Sequence, residues 1–143
     1  MEEHKKALTL HSLSTAKLVA SAAVDAVPLA MSYVPEHNAL VSSLSDMTMV
    51  QLPVDDHMLQ KRFQVQHVWP TVEAQMSLAW MPSNDILYSG SVSGVINAWK
   101  LSDRPLISAD NGHSKNVMNL LALNKLDNLV SASLDTTIGV WDT

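Results

Sequence analysis

The last sixteen residues, NLVSASLDTTIGVWDT, repeat the pattern of ILYSGSVSGVINAWKL (86–101) upstream. Ser89 meets Ser131, Ser91 meets Ser133, Ile96 meets Ile138 and Trp99 meets Trp141, each pair forty-two residues apart. ALVSSLSDMTMVQL (39–52) fits the same template a further forty-seven residues back, with Ser42 on Ser89, Met49 on Ile96 and Leu52 in the tryptophan position. A fixed period in the forties means one supersecondary unit used repeatedly. Such a unit cannot bury its own faces and must stack on its neighbours.

The segments that precede these copies align as well. LAMSYVPEHNAL (29–40), MSLAWMPSNDIL (76–87) and MNLLALNKLDNL (118–129) each read as an apolar run, a polar turn and a leucine, with Pro35 and Pro82 in register. VMNLLALNKLDNLV (117–130) alone could form an amphipathic helix. Its aligned counterparts carry an internal proline, which a helix interior tolerates poorly. Strands are therefore predicted near 27–34, 38–43, 47–53, 61–66, 75–81, 86–90, 95–100, 104–109, 116–123, 128–132 and 137–142. Residues 6–23 read as two more strands with a turn at Ser14-Thr15, because ALTLHSLSTAKLV (7–19) aligns with VINAWKLSDRPLI (95–107). The fold class is all-β. The units divide as 6–23 (outer strands of a preceding unit), 27–66, 71–109 and 112–143, the last without its outer strand. The out-of-phase start and stop predict a piece of a longer protein.

Composition narrows the function. Apolar residues make up 47% and charged residues 16%, the formal charge is −5, and only nine residues are Lys or Arg. Adjacent cations occur only at Lys5-Lys6 and Lys61-Arg62, so no patch for nucleic-acid phosphates is expected. With no cysteine, disulfides and thiolate chemistry are excluded, which is compatible with a reducing interior. No apolar run reaches the length of a membrane-spanning helix. Glu2, Glu3, His11, Ser12, Ser14 and Lys17 interrupt what would otherwise read as a signal peptide. The expected setting is intracellular and cytoplasmic. The expected partners are proteins, with no nucleic acid, membrane or small-molecule substrate.

The third copy carries Gly112-His113, then Ser131-x-Ser133-x-Asp135, then Trp141-Asp142. In this it resembles the WD-repeat family. The second copy departs, with Pro70-Thr71 in place of Gly-His and Lys100 after Trp99, and the first has neither dipeptide. The resemblance implies a partial β-propeller of about three antiparallel, four-stranded blades. It also implies a non-catalytic protein-interaction scaffold, in which His113, Ser131, Asp135 and Trp141 form a hydrogen-bonded chain. That chain is physically sound: the indole N–H needs an acceptor, a serine hydroxyl can accept it and donate to imidazole, and the far ring nitrogen can donate to a carboxylate. Ser133 is the rival for the serine. The second-repeat counterparts are Thr71, Ser89, Ser93 and Trp99, and their network is expected to be incomplete. The first repeat has Ser42 and Asp46 and is expected to pack through Leu52. The degenerate early repeats also resemble the long WD-repeat proteins of ciliary and sperm axonemes, which implies a cytoskeletal setting and membership of a larger assembly.

Ser, His and Asp together suggest a hydrolase, but no Gly-x-Ser-x-Gly elbow exists and the serine sits within a strand beside a tryptophan. No catalytic residue is assigned. Recognition of a phosphopeptide or nucleic acid would need a convergent Arg or Lys cluster. Asp55-Asp56-His57 is read as a solvated turn, because adjacent residues point apart and no second cluster has zinc spacing. No metal or cofactor is expected. Trp69 offers a partner contact if exposed and a packing anchor if buried. Met31, Met76 and Met118 are expected to fill the core.

Overall fold

Short alternating runs broken by tight turns leave the chain little choice but hairpins. The computed structural model describes residues 6–54, 63–102 and 106–143. Among them are thirteen strands and one 3-10 turn, Pro35–His37, with no α-helix. β1 (Ala7–His11) and β2 (Leu18–Ala23) form a two-stranded ribbon. β3 (Pro28–Val34), β4 (Ala39–Leu44), β5 (Thr48–Pro53) and β6 (His67–Pro70) make the first blade. β7 (Gln75–Met81), β8 (Ile86–Ser91), β9 (Val95–Lys100) and β10 (Leu106–Asn111) make the second. β11 (Val117–Leu123), β12 (Asn128–Ser133) and β13 (Ile138–Asp142) make a three-stranded third sheet. Every pairing is antiparallel and sequential. β7 lies against β3 on one side and β11 on the other, so the first strands of successive blades are neighbours.

The repeat is visible in the backbone even where side chains differ. The turn after the first strand of each blade ends in a left-handed residue: Asn38 (φ 47), Asp85 (φ 57) and Asp127 (φ 52). Asn and Asp tolerate that conformation best among non-glycine residues. The turn between the second and third strands does the same at Met47 (φ 63), Gly94 (φ 102) and Thr136 (φ 74). Only Gly94 suits its place. A Cβ there would meet the His113 carbonyl oxygen at 2.1 Å.

Each blade is buried on its faces by the next. Trp69, Val41 and Met49 of the first blade meet Trp80, Leu87 and Trp99 of the second. Ala79 and Ile96 meet Val117, Leu120 and Leu129 of the third sheet. The ribbon closes the other side, with Leu8 and Ala22 against Leu44, Val50 and Leu52. Each large apolar side chain so buried contributes on the order of 1.5–3 kcal/mol. Buried serines cross the seams as well: Ser43 Oγ donates to the Gln75 carbonyl at 2.7 Å, and Ser77 Oγ to the Val117 carbonyl at 2.9 Å.

Three expectations are corrected here. The strand expected near 61–66 is instead β6 at His67–Pro70, so the first blade runs past residue 66. Phe63 is buried in the ribbon-side core and Gln66 N–H already bonds to the Gln51 carbonyl of β5, while 61–62 of the expected strand lie outside the described residues. Trp69 is not a surface contact: it pairs with Met49 across the sheet and is 7% exposed. Met31 and Met118 are about half exposed rather than core, because strand alternation turns them away from the packed faces. The Asp55-Asp56-His57 turn and Lys61-Arg62 lie outside the described residues.

Thr136 is β-branched and exposed in a left-handed conformation that costs such a residue about 1–2 kcal/mol. Thr136→Asn is therefore expected to stabilise the chain by about 0.5–1 kcal/mol, read as a raised midpoint in urea unfolding.

Candidate functional site

In the third sheet, the connection after β10 carries His113 to the end of β12. Its Nε2 lies 2.6 Å from Ser131 Oγ, and its Nδ1 lies 2.9 Å from Asp135 Oδ2. Trp141 Nε1 donates to the same Ser131 Oγ at 2.9 Å. A proton on Nδ1 satisfies the whole chain: Nδ1–H donates to Asp135, Ser131 O–H donates to Nε2, and the indole N–H donates to the serine oxygen. Ser131 is fully buried and His113 is 9% exposed. The imidazole and indole rings meet edge-on, centroids 6.3 Å apart. Ser133 takes no part; its hydroxyl donates to the Lys115 carbonyl and caps Asp135 N–H.

Asp135 anchors the far end. The Thr137 hydroxyl, the backbone N–H groups of Thr137 and Ser114, and His113 all stabilise its ionised form, outweighing the opposing effect of burial. Its carboxyl is held well below the usual carboxylate range. A depressed carboxyl contributes stability that is complete above its unfolded value, about 4, and is lost as pH falls through the lowered folded value. The chain should lose stability on acidification below about pH 4, and Asp135→Asn should lack that component. Unfolding midpoints measured across this range for both proteins check it.

The second blade solves the same problem with different residues. Trp99 Nε1 donates to Ser89 Oγ at 2.8 Å, as the pattern predicts. Ser89 Oγ then donates not to Thr71 but to Gln75 Oε1, at 2.6 Å, and Asn97 Nδ2 donates to the same oxygen at 3.0 Å. Gln75 Nε2 donates to the Glu73 carbonyl. Neither Thr71 nor Ser93 joins this chain, and Gln75 fills the place they leave. Thr71 instead donates to the Met47 and Glu73 carbonyls, and Ser93 to the Glu73 carboxylate. The amide oxygen of Gln75 stands in for the imidazole nitrogen but comes from the first residue of β7, not from the loop. The available signal was a lone glutamine where the aligned strands begin with Pro28 and Val117. In the first blade Leu52 is fully buried, Ser42 donates to the Ala30 carbonyl, and Asp46 caps Thr48.

A second junction went unread in the sequence. At the opposite end of the blades, Trp80 Nε1 donates to Glu36 Oε2 at 2.7 Å, and His37 Nε2 pairs with Asp85 Oδ1 at 2.8 Å. The His37 ring stands edge-on to Trp80. Two turns of neighbouring blades are thereby tied together.

The triad-like order Asp135–His113–Ser131 does not make a nucleophile. Ser131 Oγ already accepts the indole N–H, it is inaccessible, and a Cβ on Gly139 would lie 2.8 Å from it. Its hydroxyl is not open to an incoming carbonyl. No group of three or more His, Asp or Glu fit to hold a metal occurs among the described residues.

Residues 64–100 and 105–142 match the family model of the WD domain, G-beta repeat. The chain belongs to the WD40 family. The fold agrees with solved WD40 structures: the WD40 repeats of RRP9 and the structure of U3-55K each superpose with a TM-score of 0.73 at 18% identity. Each alignment covers 96% of this chain and 38% and 39% of the other. Among curated proteins, this WD40 chain is 33% identical over 66 residues to a probable inactive protein kinase of Dictyostelium discoideum. It is 34% identical over 68 residues to cilia- and flagella-associated protein 337 B of Tetrahymena thermophila. Both alignments cover 46% of this chain, which spans 5% of the length of each relative. No helix among the described residues is long and apolar enough to cross a membrane.

Removing His113 leaves a buried serine hydroxyl without its acceptor, and removing Gln75 strands two donors at once. His113→Ala is expected to cost about 1–3 kcal/mol and Gln75→Leu at least as much, although the latter nearly conserves volume. Denaturant unfolding of the two variants checks the magnitude and the order.

Proposed function

We propose that this chain is a non-catalytic docking scaffold within a larger protein assembly, and that proteins bind the loops at one end of its blades. The observation that carries this is a row of exposed apolar side chains on those loops. Val27, Met47, Val72, Val92 and Leu134 each sit on a different one, between 46% and 92% exposed. Water-facing apolar residues gathered at one end of a rigid frame mark an interaction surface.

The frame under that row is stitched by backbone hydrogen bonds. Ser45 N–H donates to Val27, Thr71 to Met47, Val92 to Ala74, His113 to Gly94 and Leu134 to Asn116, all between 2.8 and 3.0 Å. The loop 71–74 bonds to the first blade through Thr71 and to the second through Ala74. The loop 112–116 bonds to the second blade through His113 and to the third sheet through Asn116. The loops are thus preorganised, which lowers the ordering cost of binding. Likeness to a relative named for cilia and flagella supports an intracellular, cytoskeletal setting at a cilium or flagellum. The low density of basic residues favours protein over nucleic acid as the partner.

The double variant Val92→Asp, Leu134→Asp should keep the wild-type melting curve, because both side chains are exposed, and should lose partners recovered from native extract by cross-linking. Undiminished recovery would move docking elsewhere on the molecule.

A further inference from the structure

We infer that β10 is a docking edge for an extended segment of a second protein, one whose side chains alternate between apolar and basic. This surface adjoins the loop row at Val72 but does not depend on docking there. β10 is the outermost strand of the second blade, and all six of its residues are exposed, including Leu106 at 44% and Ile107 at 51%. Edge strands are commonly protected by lysine, proline or shortness. β6, the corresponding strand of the first blade, has four residues and ends in Pro70. β10 has six and contains neither lysine nor proline.

The two faces of this edge differ in chemistry. The pairing of β10 with β9 slips between Leu106 and Ser108, so Ile107 is an extra residue. The slip sets Leu106 beside Trp99 and Ala109 beside Asn97 on one face, and Ser108 beside Ala98 and Asp110 beside Ile96 on the other. Without it, Leu106 and Ala109 would fall on opposite faces. On the first face lies a mostly apolar crevice of about 210 Å³, lined by Val72, Val95, Trp99, Leu106 and Ala109 together with Asn97 and Glu73, whose carboxylate accepts the Ser93 hydroxyl. On the second lies one of about 260 Å³, where Tyr88, Ile96 and Trp141 are rimmed by the carboxylates of Asp110 and Asp142. No Lys or Arg lines either crevice. A strand added to the outer edge would present successive side chains to the two faces in turn. Apolar residues suit the first crevice and basic residues the second.

A short peptide alternating valine and lysine, titrated against the intact chain, tests this. The expected result is saturable binding with slowed amide exchange confined to Leu106–Asn111 and its flanks. A valine–glutamate peptide should not bind. Asp110→Lys should weaken the valine–lysine peptide by about fivefold or more, and Ala109→Lys should abolish binding by placing a charge in the apolar crevice. Both residues are exposed, so unchanged melting curves would show that the fold is intact. Equal binding of the glutamate peptide, protection at the loops instead of β10, or protection of β10 by self-association without peptide would each overturn the proposal. The loop variant Val92→Asp, Leu134→Asp touches neither crevice and separates the two surfaces: its partner loss tests the loops, whereas the exchange footprint on β10 tests the edge.

Discussion

Everything in this structure depends on sheets that are buried on both faces. β4 has five of its six residues buried, and β7 six of seven. A sheet of that kind has no solvated side, so its stability comes from the sheet packed against it. The tryptophans supply much of the contact: Trp69, Trp80 and Trp99 sit in one cluster between the first and second blades. Burying so large a ring is favourable only if its N–H finds an acceptor within the seam.

That requirement explains the polar residues of the interior. Trp99 and Trp141 both donate to a fully buried serine, and each serine hands its own proton to a further acceptor. Trp80, facing the other end, uses the Glu36 carboxylate of the neighbouring turn. Three indoles thus find three kinds of chain behind them: one ending in Gln75, one running through His113 to Asp135, and one ending at Glu36. The physical demand is the same in each case. The residue that meets it depends on which backbone comes close enough.

This division bears on function. The buried polar chains hold the blades rigid, and their hydroxyls are consumed by internal bonds. On the proposed reading, binding falls where the frame ends, at loops whose backbone groups are paired and whose apolar side chains are not, and along the open edge of β10. The arrangement suits a frame that displays contacts better than one that performs chemistry.

The tandem pattern of Ser131 and Trp141 on Ser89 and Trp99 determined by itself that the chain is all-β, built from repeated antiparallel units, and where most strands lie. Local alternation and turn chemistry act within a few residues and are therefore written in a single sequence. The partners of the buried indoles were legible only where the residues stood in the familiar order, as with His113 and Asp135. Gln75 replaced Thr71, Trp69 turned inward, Phe63 joined the ribbon-side core, and Glu36 reached Trp80 from the next blade. Each of these was decided by tertiary structure, because each depends on which face of one sheet meets another. Distances between sheets are not a property of any short stretch of chain.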